Sequence, residues 1–212
     1  MIRAMSGRSF ERLLRRVRRD PVGRGIVEQR RDLIPVLSNR ERLLSLPEDT
    51  LGNHYARFMQ AEQISSQGLA DASNWAGEER SDLWFDPEAE AFGARLRDMH
   101  DLWHVVTGYS RDILGELALL AFTYQQTGNR GIGYIVRQVE RRMRKGGNAE
   151  VSAFLRQASE RGRRATLLPA ADWEALLQRP LAEVRRDLRV GEPVDYAQRR
   201  TAAGEAAAVA SA

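Results

Sequence analysis

The chain has no cysteine. Disulfides, thiolate metal sites and cysteine nucleophiles are thereby excluded, and any bound metal must rest on imidazole nitrogen and carboxylate oxygen. Histidine is scarce too, with His54, His100 and His104 the only three in 212 residues. Lysine is almost missing. Lys145 stands alone, so the net charge of +4 is carried by arginine. That arginine richness reads as a compositional habit rather than a built basic surface, and no nucleic-acid partner is expected. No window approaches eighteen apolar residues and no apolar core follows the N-terminus, so neither a membrane span nor a secretory leader is expected. These absences point to a cytoplasmic chain with one domain.

Strand alternation is also lacking, whereas helical periodicity runs almost throughout. The fold class is therefore all-α, a single-domain multi-helix bundle. In "SFERLLRRVRRDP", Phe10, Leu13, Leu14 and Val17 fall at helical spacing among arginines. This stripe would lie on an anionic membrane or pack on the domain. Residues 1–34 are read as a basic helical extension, 35–196 as the domain, and 197–212 as a disordered Ala-rich tail. Within the domain the periodicity predicts helices near 39–45, 48–63, 87–106, 111–127, 131–145, 149–163, 169–178 and 180–188, with a loop over 64–85.

One stretch concentrates chemistry: "MHDLWHVVTGYSRDILGE", residues 99–116. Four residues is about one helical turn, so His100 and His104 share a face with Asp101 beside them. Glu116 lies in "DILGELALLAFTY", a run apolar nearly all round, which predicts a buried helix and a costly buried carboxylate. A turn at Gly108–Ser110 would fold that helix back and bring Glu116 beside the histidines. A divalent metal would then answer both the charge and the paired imidazoles. The alternative is an ordinary core histidine with satisfied hydrogen bonds. The zincin pattern fails because Asp101 stands where it needs glutamate. An HD-type metal-dependent phosphohydrolase, with His54 as its earlier histidine, remains a further alternative.

The spacing His100-Asp101-Leu102-Trp103-His104, eleven residues, then Glu116 resembles the H-D-x-x-H-x(11)-E signature of the ubiquinone (coenzyme Q) biosynthesis protein Coq-four family. "LPEDTLGNHYARFM", "ARLRDMHD" and "WEALLQRPLAEVRRDLRVGEPVDY" are similar to other parts of its pattern, and the resemblance spans roughly 35–196. Leu96 stands where the family usually has an aromatic, and Leu120 where a lysine often follows.

The resemblance implies a divalent metal on His100, Asp101, His104 and Glu116; nitrogen and oxygen donors suit zinc, iron(II) or manganese(II), with zinc preferred. It also implies an apolar cavity for a polyprenyl tail, expected between the helices carrying Tyr55, Phe58, Met59, Trp103 and Leu117. The implied activity is removal of the C1 carboxylate from a polyprenylated 4-hydroxybenzoate-type precursor, with hydroxylation of the same carbon. A non-catalytic alternative is a lipid-binding scaffold that organises other ubiquinone-biosynthesis proteins at a membrane. Arg97, on the face of His100, is the expected partner of a substrate carboxylate, ahead of Arg95. Peripheral contact with the inner face of the membrane, or the mitochondrial matrix side in a eukaryote, and a homo-oligomer complete the expectations.

Overall fold

The computed structural model describes residues 7–61 and 86–192. The expected loop at 64–85 and the Ala-rich tail lie outside them. The described residues form helices and no strand, only an isolated antiparallel bridge between Thr50 and Pro180. In chain order the helices are α1 (Gly7–Val17), α2 (Pro21–Glu28), α3 (Ile34–Leu37), α4 (Arg40–Leu44), α5 (Leu51–Ala61), α6 (Pro87–Asp98), α7 (His100–Thr107), α8 (Ile113–Thr127), α9 (Arg130–Lys145), α10 (Ala149–Arg164), α11 (Trp173–Leu176) and α12 (Leu181–Asp187), with a 3-10 turn at Leu168–Ala170.

The predicted helix 87–106 is two helices. Met99 adopts φ −78° and ψ −4°, between α6 and α7, and its N–H still bonds the Arg95 carbonyl at 3.1 Å. The chain therefore bends at Met99 without losing its hydrogen bonds. The predicted helix 169–178 is also divided, into the 3-10 turn around Pro169 and the short α11 capped by Asp172. Proline lacks an N–H to continue a helix ladder, and Asp172 accepts from the Ala175 N–H, which starts a new one.

The helix bearing the histidines sits at the centre. Every residue of α7 after His100 is buried, against α5 on one side and α12 and α8 on others. Its last carbonyls, which have no partner within the helix, are met by arginines from elsewhere. Arg185 donates to Val106 and Val105 at 2.9 and 3.0 Å, and Arg161 donates to Thr107 at 2.9 Å. The start of α5 is pinned similarly: the Leu51 N–H reaches the Arg179 carbonyl and Leu181 N–H the Asp49 carbonyl.

The N-terminal helix packs on the domain. Leu13, Leu14 and Val17 of α1 are buried in a cluster with Ala89, Phe92 and Ala170, and Phe10 meets the Phe92 ring at 5.9 Å. By contrast, α8 is less enclosed than its composition predicts. Ala118, Leu119, Ala121 and Phe122 are buried, whereas Leu114, Leu117 and Leu120 are half-buried and Ile113 is 83% exposed. The reason is position: α8 lays one face along α10 and turns the other outward.

Candidate metal centre

Two local features bring the motif together. Gly108 ends α7 at φ +76°, a left-handed conformation that glycine takes without a Cβ clash. Four residues later Asp112 caps α8 by accepting from the Leu114 and Gly115 N–H groups at 3.1 and 3.0 Å. The two turns reverse the chain, and Glu116, in the first turn of α8, meets His104 of α7 at 3.4 Å, Oε1 to Nε2.

His100, Asp101 and His104 offer ligand atoms within 4.8 Å of one another, and Glu116 joins them through His104. His100 Nδ1 lies 3.3 Å from Asp101 Oδ1, and the two imidazoles meet edge-on at 4.8 Å between centroids. The His104 side chain is fully buried, with Phe58 stacked on it at 5.8 Å. His100 is 44% exposed and Glu116 35% exposed, so the cluster is closed behind His104 and open at its rim. This corrects the expectation of a buried Glu116, because the outward face of α8 gives its carboxylate water.

The orientation of His104 is informative. Its Nδ1 lies 2.9 Å from the Tyr109 carbonyl, which only accepts, so Nδ1 carries the hydrogen. In the neutral ring Nε2 then holds a bare lone pair, and that buried atom has no hydrogen-bond partner. It faces a carboxylate oxygen, another acceptor. Two acceptors face to face need a cation or a proton between them. Imidazole whose second nitrogen donates to a backbone carbonyl is the usual arrangement of a metal-ligating histidine.

The carboxylates are held in their charged form. Burial alone would raise the Glu116 carboxyl, but where a proton fills the gap at His104 the resulting hydrogen bond, with the charges of His104, His100 and Arg111, outweighs burial and lowers it. For Asp101, burial is likewise outweighed by its bond to His100 and by the charges of His100, Arg111 and His104. Nitrogen and charged oxygen together make a donor set suited to zinc, iron(II) or manganese(II).

The remaining predicted residues are placed less closely. Trp103 packs on Phe122 in the core. Tyr55 and Met59 are buried and line a cavity of about 10 Å³ with Leu37, Ser38, Arg40, Leu43 and Ala56, which has room for about one water and not a polyprenyl chain. Leu117 is packed against the main core. Arg97 is exposed and bonds the Gly93 carbonyl at 3.3 Å. Arg95 is 1% exposed and forms a two-point pair with Glu174, at 2.8 and 2.7 Å. His54 is exposed on α5 and outside the cluster, with Arg185, Arg57 and Asp49 as its charged neighbours.

Sequence reasoning missed the arginine that does approach the cluster. Arg111 Nε lies 3.7 Å from Glu116 Oε1. Its signal was a lone basic residue in the turn joining two ligand-bearing helices. The Tyr109 carbonyl, which aims His104, carried no side-chain signal at all.

Residues 3–194 match the sequence model of the coenzyme Q (ubiquinone) biosynthesis protein Coq4 family. The chain belongs to this family. The match takes in α1 as well as the bundle. Among curated relatives, the mitochondrial ubiquinone biosynthesis protein COQ4 of Arthroderma otae is 30% identical over 85% of this chain and 64% of its own length. Those of Scheffersomyces stipitis and Yarrowia lipolytica are each 25% identical, over 88% and 85% of this chain and 56% and 66% of theirs. The chain thus spans less than two thirds of these relatives. A Nostoc punctiforme protein solved by crystallography, and provisionally assigned to ubiquinone biosynthesis, shares the fold with a TM-score of 0.63 at 20% identity, over 86% of this chain and 82% of its own.

Proposed function

We propose that this Coq4-family protein binds a divalent metal, zinc before iron(II) or manganese(II), on His104, His100, Asp101 and Glu116. We further propose that it removes the C1 carboxylate of a polyprenylated 4-hydroxybenzoate-type precursor. The observation that carries this reading is the buried Nε2 of His104, without a hydrogen-bond partner and aimed at the Glu116 carboxylate.

The chain's own groups have distinct tasks in this reaction. The Tyr109 carbonyl fixes the ring of His104, and Phe58 covers that ring from water. Asp101 and Glu116 supply charged oxygens. When bound, the metal supplies a Lewis acid that neutralises a substrate carboxylate or phenolate and steadies charge on the ring as carbon dioxide leaves. Arg111, at the open rim, is placed to pair with the incoming carboxylate, in the role the sequence assigned to Arg97. The hydroxylating form of the reaction additionally consumes dioxygen and a two-electron reductant.

The test is incubation of the purified full chain with the prenylated carboxylated precursor, read by mass spectrometry. Loss of carboxyl from the precursor, abolished in His104→Ala, supports catalysis. A metal-loaded protein that leaves the precursor intact favours the scaffold reading, in which the cluster clamps α7 to α8 and the surface gathers other pathway proteins. That second reading draws support from the ligands' division between two helices.

A further inference from the structure

Two groups approach Glu116 through one atom. Its Oε1 lies 3.4 Å from His104 Nε2 and 3.7 Å from Arg111 Nε, so the buried imidazole and the guanidinium at the rim converge on a single oxygen. At that distance the arginine is an ion-pair partner and not a hydrogen-bond donor. Other arginines close fully on their carboxylates even on the surface, as Arg57 does on Glu48 and Arg179 on Asp187, each at 2.7 Å. Arg111 stands farther off. Its side chain is 38% exposed, and among the described residues its terminal nitrogens donate no hydrogen bond.

The same guanidinium serves the rest of the cluster. Against burial, the charge of Arg111 joins His100 in lowering the Asp101 carboxyl, and it joins the two histidines in lowering that of Glu116. Two carboxylates thus share one permanent cation, and with neutral imidazoles the cluster carries one negative charge in excess. A substrate carboxylate would be repelled from such a site. A divalent ion reverses the sign of the excess, and a cation ligated by Glu116 Oε1 would also repel the guanidinium that stands beside that oxygen. We infer that Arg111 makes carboxylate binding conditional on the metal: it is the metal's rival for Glu116, and its guanidinium passes to the substrate carboxylate once the metal holds Oε1. The identity of that carboxylate rests on the proposed function; the rivalry does not. A guanidinium with both terminal nitrogens free has the planar fork that a carboxylate needs. Because coupling between two ligands is reciprocal, the carboxylate should in turn tighten the metal.

The test titrates the purified full chain with zinc against a chromophoric chelator, using 4-hydroxybenzoate as the carboxylate probe and 4-hydroxybenzamide as its uncharged counterpart. Zinc should strengthen binding of the carboxylate by about tenfold and leave the amide little changed. Arg111→Gln, checked for native circular dichroism, should bind zinc about tenfold more tightly than wild type at low salt, with the difference shrinking as ionic strength rises, and should lose most of the zinc-dependent gain for the carboxylate. Arg111→Lys keeps the charge without the fork, so its zinc affinity should match wild type while its carboxylate binding is weaker. Zinc affinity that is unchanged or lower in Arg111→Gln overturns the inference, because the arginine would then hold Glu116 in place and not compete for it. Equal binding of 4-hydroxybenzoate with and without zinc overturns the order. A chain that takes up no zinc defeats this inference and the proposed metal together. One that shows these effects yet leaves the prenylated precursor intact sustains the inference and defeats only the proposed decarboxylation.

Discussion

Arg161→Met tests how the centre is held. Arg161 lies buried on α10, and its guanidinium donates to the Thr107 carbonyl at 2.9 Å, to Val190 at 3.2 Å and to the Gly191 carbonyl. Its central carbon also sits 4.8 Å over the Tyr109 ring. One side chain thus closes the end of α7 and braces the residue whose carbonyl aims His104. Methionine keeps much of the volume and removes every donor. The Gly191 carbonyl is at an exposed position and can turn to water, but the Thr107 carbonyl cannot. An orphaned buried acceptor costs roughly 1–3 kcal/mol, and losing the stacked cation adds about 1 kcal/mol.

The expected loss is about 2–4 kcal/mol, which at this chain length lowers the melting temperature by about 5–15 °C. Thermal melts by circular dichroism measure it. Cobalt(II) substitution supplies the second readout, because its visible bands report the ligand geometry that a slack Tyr109 would disturb. A variant melting within about 2 °C of wild type refutes the clamp. A large drop with unchanged cobalt spectrum and affinity refutes its link to His104.

The purified chain should hold about one divalent ion by elemental analysis, lost in His104→Ala and retained in His54→Ala, with Glu116→Gln folded but inactive. Equal loss in the two histidine variants would bring His54 into the site and revive the phosphohydrolase alternative. Burial pushes the Asp98 carboxyl up to about 6, against the pull of Arg97 and with a further push from Asp32. Its folded value exceeds the unfolded one, so stability falls as pH rises from about 4 to 6, and about 3 kcal/mol stays lost above that. Asp98→Asn should recover most of this in urea titrations at about pH 7.5 and little at about pH 4.5; an equal gain at both would contradict it. Arg95→Ala empties a buried site and removes one of the two arginines on Glu174, leaving Arg31 at 3.1 Å, and should cost about 1–3 kcal/mol, whereas Arg97→Ala should cost under about 0.5 kcal/mol. Melting temperatures separate the two, and similar losses would mean that burial is misassigned between these arginines.

Most helices were legible because their apolar positions repeat at 3.6 residues; the caps Asp86, Asp112 and Asn129, which set where three of them start, were read only in the structure. The bend at Met99 was not legible, since the backbone there keeps its hydrogen bonds and no proline or glycine marks it. Burial of Arg95 and Arg161 was equally hidden. In most chains a buried cation stands out because lysine covers the surface and arginine is kept for paired sites. Here arginine does both, so residue type no longer distinguishes a solvated face from an interior clamp. For the same reason Arg97 was preferred over Arg95 on spacing alone and Arg111 was not weighed, although Arg111 is the arginine that lies beside Glu116.

The candidate centre was found from a premise that the structure replaces. The sequence argued for a metal from the cost of burying Glu116, yet that side chain is 35% exposed and water offsets much of the cost. The stronger requirement comes from His104, whose i, i+4 spacing to His100 was legible but whose tautomer was not. A carbonyl five residues on takes the Nδ1 hydrogen, and the turn at Gly108 delivers that carbonyl and Glu116 to opposite edges of the same ring. The half-exposure of Glu116 then acquires a function of its own. Under the proposed function, a fully buried carboxylate would suit a closed, structural ligand set, whereas one at the rim, beside Arg111, would suit a site that a substrate oxygen enters.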